Sequence, residues 1–273
     1  MTNTDAVFNG SIPEIYDEYL VPMIFEEYAD DLAERVVSNE PASVLELAAG
    51  SGVVTRALAP KLSPSSRYMV TDLNQTMLDR ASSVQPPDDR IEWRQADALD
   101  LPFDDDSFDV VVCQFSVMFF PDKVAGYAEA RRALKPGGMF VFNVWDDIES
   151  NEFSDIVTQG AAEVFPDDPP LFLARTPHGY HDVEQIRADL VAAGFADISI
   201  DTLEKVSSAP TARHAVIGYA HGTPLRNEIE ALGGSALELV TERATKLIAA
   251  RFGDGPVAAK MRGHVVSAHS PST

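Results

Sequence analysis

The chain has 273 residues, 45% hydrophobic and 23% charged, an ordinary balance for a globular protein long enough for one large domain with insertions. Its 43 acidic against 21 basic residues give a net charge of −22, which repels phosphate-rich partners and argues against nucleic acid as substrate. Cys113 is the only cysteine, which excludes an intramolecular disulfide and a cysteine-built zinc site. No apolar run approaches the roughly 20 residues that span a bilayer, so no membrane partner is expected. The start of the chain lacks a basic region followed by an apolar core, so no leader peptide and a cytoplasmic location are expected.

In chain order, residues 1–40 are expected to form an N-terminal helical cover. Tyr16 and Tyr19, three residues apart, would share one helix face there. A core over 41–147 then alternates short β-branched runs with helical patterns. Strands are expected at Ser43–Leu47, Tyr68–Asp72, Ile91–Gln95, Phe108–Gln114 and Met139–Trp145, and helices at Gly52–Lys61, Gln75–Val84 and Val124–Leu134. This alternation specifies a parallel sheet with right-handed crossovers. The unbroken apolar run Val110–Cys113 suits a strand covered on both faces.

After Trp145 the rhythm breaks. Residues 148–180 are rich in Asp, Pro and aromatics, and 165–170 (Phe-Pro-Asp-Asp-Pro-Pro) is a clear interruption. Asp182 is placed to cap a helix, with Gln185 at the capping-box position and Gly194 closing it. Ile198–Val206 alternates as a sixth strand. Helical patterns follow at Thr211–Tyr219, Pro224–Ala231 and Ser235–Ala250, and a last strand at about Met261–His269 pairs antiparallel beside the sixth. The expected fold is α/β, a single domain over 1–273. It has a doubly wound, seven-stranded, mainly parallel sheet, with 148–180 and 207–256 as helical covering insertions. Apolar residues of those insertions suit packing or a homodimer interface equally.

The richest stretch is 44–52 (Val-Leu-Glu-Leu-Ala-Ala-Gly-Ser-Gly), with Asp72 closing the next strand. An apolar strand, a small-residue turn, a helix and a second strand ending in a carboxylate describe a nucleotide-like site at the carboxyl edge of an open sheet. A dinucleotide fingerprint requires a third glycine, where Thr55 stands. The turn instead resembles the glycine-rich loop of class I S-adenosylmethionine-dependent methyltransferases, an acid followed by x-G-x-G-x-G. Glu46, Gly50 and Gly52 match that pattern and Ala48 replaces its first glycine, a replacement that fits if the backbone there has φ below zero. Further landmarks keep family order: Asp72-Leu73-Asn74, then 93–99 (Trp-Arg-Gln-Ala-Asp-Ala-Leu), 107–115 and 134–142 (Leu-Lys-Pro-Gly-Gly-Met-Phe-Val-Phe). The segment 8–22 also resembles leaders of small-molecule methyltransferases.

The resemblance implies S-adenosylmethionine as cofactor and S-adenosylhomocysteine as product. It implies that Ala48, Gly50 and Gly52 allow close backbone approach, and that Glu46 orders the loop or meets the amino group through water. Asp72 would accept both ribose hydroxyls, the competing reading being a helix N-cap. Leu73 and Met77 would cover adenine. Asp97 and Ala98 would meet its edge, unless Asp97 is a plain loop acid. Gln114 and Phe115 would lie beside the methionine portion. Tyr16 and Tyr19 would close over the cofactor or substrate, or simply pack on the core.

A base is needed only where the acceptor must lose a proton, and histidine is the natural group. His181 and His221, in the covering segments, are the candidates, with a structural role as the competing reading. His178 falls in the same segments, His214 in a helix pattern, and His264 and His269 near the last strand. Phe115, Met118, Phe119 and Phe120 point to an apolar or aromatic small-molecule acceptor or to core packing. No metal site is expected: the adjacent acids Asp104-Asp105-Asp106 splay apart, and HExxH and EF-hand spacings are absent. The Asn/Asp-Pro-Pro-Tyr/Phe motif of amino-methylating enzymes is replaced by Cys113-Gln114-Phe115-Ser116. The expected function is methyl transfer to oxygen or carbon of a small organic molecule. A catalytically silent S-adenosylmethionine-binding module is the alternative, and a dehydrogenase the third reading.

Overall fold

A computed structural model describes residues 11–272, so residues 8–10 of the leader lie outside the described residues. Seven strands form one sheet in the order β3-β2-β1-β4-β5-β7-β6. They are β1 (Ser43–Leu47), β2 (Arg67–Asp72), β3 (Ile91–Gln95), β4 (Phe108–Gln114), β5 (Leu134–Trp145), β6 (Ala196–Ala209) and β7 (Val257–His269). The described residues divide into two compact units. One comprises 26–144, 182–202 and 264–272, the other 11–25, 145–181 and 203–263.

In the first unit β1 is buried throughout, and Val110–Cys113 of β4 is buried without a break, as strands covered on both faces must be. Registers in the parallel part align the strand ends: Glu46 stands opposite Val70, Asp72 opposite Gln95, Leu47 opposite Cys113 and Gln114 opposite Asn143. The carboxyl ends of β3, β2, β1, β4 and β5 therefore share one edge. Between β1 and β4 the chain order reverses, the point where such sheets open a crevice for ligands. β7 runs antiparallel to β5: Ser270 N–H pairs with the Gly138 carbonyl at one end and Asp146 N–H with the Arg262 carbonyl at the other.

Several details differ from expectation, among them longer β6 and β7 strands than Ile198–Val206 and Met261–His269. β5 begins at Leu134 rather than Met139, because Gly137, at φ +78, turns its N–H onto the Ser270 carbonyl while the ladder with β4 shifts register between Phe108 and Val110. The helix expected over 52–61 is α-helical only over Val53–Leu58 and tightens to a 3-10 turn at Ala59–Lys61, where Pro60 interrupts it. Asp182 does cap the helix Val183–Ala192, accepting from the N–H groups of Glu184 and Gln185. Gln185, however, donates its side-chain amide to Asp189 at 2.7 Å, along the helix instead of back to the cap. Gly194 closes that helix at φ +89, where the Phe195 N–H reaches the Leu190 carbonyl.

The second unit is mostly helical. Residues 148–180, expected as a helical covering insertion with no helix bounds assigned, contain the helix Glu152–Val164 and a short helix Phe172–Arg175. Phe153, Ile156, Val157, Gly160 and Ala161 are buried along one face of Glu152–Val164 at a helical period. Its packing partner is the helix Ala236–Phe252. A Cβ built on Gly160 would lie 2.9 Å from Ala244 Cα, so the two backbones meet where only hydrogen fits. Tyr16–Phe25 winds as a π-helix around Pro22, which has no N–H to donate. Tyr16 stacks on Phe25 with centroids 5.1 Å apart, whereas Tyr19 meets His214 at 4.4 Å, so the wider winding gives the two tyrosines different partners instead of one shared face.

Replacing Gly160 by Ala should lower the stability of this helical unit by about 1–3 kcal/mol, the usual cost of overpacking. Urea unfolding followed by circular dichroism checks it; an unchanged midpoint would contradict the close approach.

Candidate functional site

The site is built where β1 and β2 end. Asp72, the last residue of β2, is buried, with 6% of its surface exposed. One carboxylate oxygen accepts the Gly50 N–H at 2.8 Å and the other the Asn74 N–H at 2.7 Å. Burial raises its pKa above the ordinary carboxylate value, and these two N–H donors oppose the rise. Asn74, not Asp72, is the N-cap of the helix Gln75–Val84, so the N-cap reading of Asp72 does not hold. Each oxygen retains acceptor capacity beyond its backbone partner.

The loop it grips is left-handed at three positions. Ala48 has φ +50, Gly50 φ +57 and Gly52 φ +82. The condition of φ below zero, under which alanine would fit without strain, is thus not met: Ala48 occupies a conformation suited to glycine, at a cost of roughly 1–2 kcal/mol. At Gly52 a Cβ would lie 3.0 Å from Ala81 Cβ, so glycine also permits the neighbouring helix to approach. The Ala49 N–H donates to the Thr71 carbonyl at 2.9 Å, fastening the loop to β2 a second time.

Beneath the loop, Glu46 is only 1% exposed. It accepts from the Thr55 hydroxyl at 2.7 Å and from the Tyr68 hydroxyl, joining β1, the helix Val53–Leu58 and β2. Burial pushes its carboxyl up to about 7, against those hydrogen bonds and the Arg56 charge. Burial and the neighbouring Glu46 hold the Tyr68 hydroxyl protonated well above its usual range. Of the two roles for Glu46, the geometry is that of ordering the loop.

Leu73, immediately after Asp72, is 54% exposed, an apolar side chain left open beside a buried acid. Met77 is buried, with its Cε 3.7 Å from where a Cβ on Gly50 would sit. Asp97, just beyond β3, is exposed and accepts the Leu99 N–H at 2.9 Å, and Ala98 lies in the same turn. Gln114 ends β4, and Phe115 follows at φ +44 with its ring edge-on to Tyr28, centroids 5.0 Å apart. Cys113 is fully buried and its thiol pushed up by burial, which suits an inert core residue.

Tyr16, Tyr19, His181 and His221 belong to the other unit. His181 donates from Nδ1 to the His178 carbonyl at 2.8 Å. His221 reaches Thr241 Oγ1 through Nε2 at 2.8 Å and lines a 410 Å³ pocket with Glu230, Gly233, Gly234, Leu237 and Glu238. Burial lowers its pKa. Sequence reasoning passed over His178, which is buried and donates from Nδ1 to the Asp146 carbonyl at 2.8 Å. Burial lowers it to about 4, so it stays neutral with Nε2 as its lone-pair nitrogen. The proline-rich surroundings of His178 carried no signal of that burial. Among the described residues no group of three or more His, Cys, Asp or Glu is arranged to hold a metal ion, and no helix is long and apolar enough to cross a membrane.

Residues 45–142 match the family described as a methyltransferase domain. A demethylmenaquinone methyltransferase of Clavibacter sepedonicus is 41% identical over 98 residues, 36% of this chain and 39% of the relative. Another, from Staphylococcus carnosus, is 28% identical over 173 residues, 58% of this chain and 70% of the relative. The first match thus spans well under half of that relative's length. The solved structure of a candidate methyltransferase from Bacillus halodurans C-125 superposes with a TM-score of 0.56 at 20% identity, covering 88% of this chain and 99% of that one. That likeness shows the fold.

Two outcomes follow from the loop. Ala48→Gly should raise stability by about 1 kcal/mol through relief of the left-handed strain, measured by chemical denaturation; a loss would contradict the conformation. Glu46 has a folded pKa raised from 4.5 to about 7, so its protonation stabilises the fold fully below 4.5 and that contribution disappears as pH rises through 7. Glu46→Gln should therefore gain on the wild type by about 2–3 kcal/mol between pH 5 and pH 8. A stability difference that does not vary with pH would show that Glu46 is not held protonated.

Proposed function

We propose, for a chain that belongs through residues 45–142 to the class I S-adenosylmethionine-dependent methyltransferases, that it methylates a small hydroxylated aromatic molecule at carbon or oxygen. The observation that carries the reading is the Asp72 carboxylate fastened to the Gly50 N–H at the β1–β4 reversal, beside the open Leu73 side chain. The aromatic acceptor is suggested by relatives named demethylmenaquinone methyltransferases and by Phe115, Met118, Phe119 and Phe120 after β4.

The residues fit the cofactor. Asp72 would take the ribose hydroxyls with its remaining lone pairs. Leu73 and Met77 would cover adenine, and Asp97 and Ala98 its edge. The left-handed turn over Ala48, Gly50 and Gly52 lets backbone approach the ligand, while Gln114 and Phe115 flank the methionine portion. S-adenosylmethionine itself supplies an already activated methyl group. The protein's work is then to bind, orient the acceptor and exclude water, and any base acts only on an acceptor hydroxyl or acidic carbon. Segments 148–180 and 207–256 are assigned to acceptor selection, with His181 and His221 as candidate bases.

Radiolabelled S-adenosylmethionine with a panel of hydroquinones and naphthalenediols tests the function. Methyl incorporation into at least one is expected. Firm S-adenosylhomocysteine binding with no incorporation into any would favour the silent binding module. Asp72→Ala should weaken S-adenosylhomocysteine by about tenfold or more, since a hydrogen bond to a charged group contributes roughly 1.5–3 kcal/mol. Unchanged affinity would remove Asp72 from the site.

A further inference from the structure

At the end of β4 the backbone adopts a conformation that its own side chain opposes. Phe115 sits at φ +44, in the left-handed region that a bulky aromatic residue rarely occupies. Both acceptors holding it there come from one residue. The Phe115 N–H donates to Asn143 Oδ1 at 2.8 Å and to the Asn143 backbone carbonyl at 3.2 Å. The carbonyl is the ordinary ladder partner, because Gln114 stands opposite Asn143 in the parallel register. The side-chain oxygen is nearer, and it draws the amide away from the ladder at the residue where β4 stops.

The rest of Asn143 gives little in return. It is fully buried, between Phe142 and Val144 in β5, and its Nδ2 has no hydrogen-bond partner. A buried donor without a partner is a net cost that an aliphatic side chain would avoid. Its Oδ1 is the atom with a structural effect, and that effect falls on Phe115. The site has a counterpart on the other side of the reversal, Ala48 at φ +50 after β1, whose carbonyl lies 3.5 Å from the Ser116 hydroxyl. Two strained residues thus flank the crevice, and strain of this kind persists only where the surroundings enforce it.

We propose that Asn143 is a positioning residue for the cofactor: it holds Phe115 left-handed and so shapes the end of β4 that receives the amino-acid portion of S-adenosylmethionine. The inference rests on the cofactor reading given above. Asn143 touches no ligand in this role and acts through Phe115.

The test is calorimetric titration with two probes, S-adenosylhomocysteine and 5′-methylthioadenosine, which keeps the adenosine but lacks the amino-acid tail. Asn143→Val suits a buried strand position and leaves the ladder carbonyl in place. It should weaken S-adenosylhomocysteine about tenfold and 5′-methylthioadenosine less than twofold. Phe115→Gly provides the second arm, because glycine adopts the left-handed conformation unaided. In that background Asn143→Val should cost less than twofold for S-adenosylhomocysteine, the non-additivity expected of residues acting as one device. This arm carries the test if Asn143→Val alone does not stay folded. Equal losses for both probes, no loss for either, or a tenfold loss that persists in the Phe115→Gly background would each overturn the proposal. Failure of the wild type to bind either probe would instead overturn the cofactor reading beneath it.

Discussion

Two backbone N–H groups, from Gly50 and Asn74, converge on the carboxylate of Asp72. Without that grip, the loop after β1 would be a run of small residues with little to define its path. With it, the loop is tied to the end of β2, and the second tie between the Ala49 N–H and the Thr71 carbonyl keeps the two strand ends in step. The carboxylate is buried in this position, which raises its pKa, and each oxygen keeps lone pairs beyond its backbone partner. On the proposed reading, loop order and ligand recognition draw on this one group.

Beneath that grip lies a second polar layer. Glu46, Thr55 and Tyr68 link β1, the following helix and β2 in a space that apolar side chains would otherwise fill. A buried acid of this kind stabilises only while protonated, which couples the loop's foundation to pH near neutrality. The flanks of the crevice are strained in the same sense, with Ala48 and Phe115 both left-handed at the ends of adjacent strands. Two residues past Ala48 the Gly50 N–H is held by Asp72, and the Phe115 N–H itself is held by Asn143 Oδ1.

Much of this was legible in the sequence, for identifiable reasons. β1 and β4 have the expected bounds because strands covered on both faces are mostly apolar, whereas the edge strand β3 was marked by the alternation of Ile91 and Trp93 with polar residues. The turn with Gly50 and Gly52 after β1 and Asp72 at the end of β2 were read from the apolar runs and small residues, and their proposed roles from the resemblance to a methyltransferase loop. The backbone angle at Ala48 could not be read so, since an alanine in place of a glycine is compatible with either sign of φ. Helix was expected within 148–180, but the bounds Glu152–Val164 were not, because the adjacent Pro-Asp run dominated the local composition. Asn143 gave no signal at all: within an apolar strand an isolated amide looks like noise, and its meaning depends on the neighbouring strand's Phe115. Contacts between strands distant in sequence are what a linear reading lacks.

The central claim is that the Asp72–Gly50 edge is an S-adenosylmethionine site rather than a dinucleotide site. Calorimetric titration of the purified protein with S-adenosylmethionine, S-adenosylhomocysteine and NAD tests it most directly. The account predicts saturable binding of both sulfur ligands and none of NAD. Binding of NAD alone, or of none of the three, would contradict it.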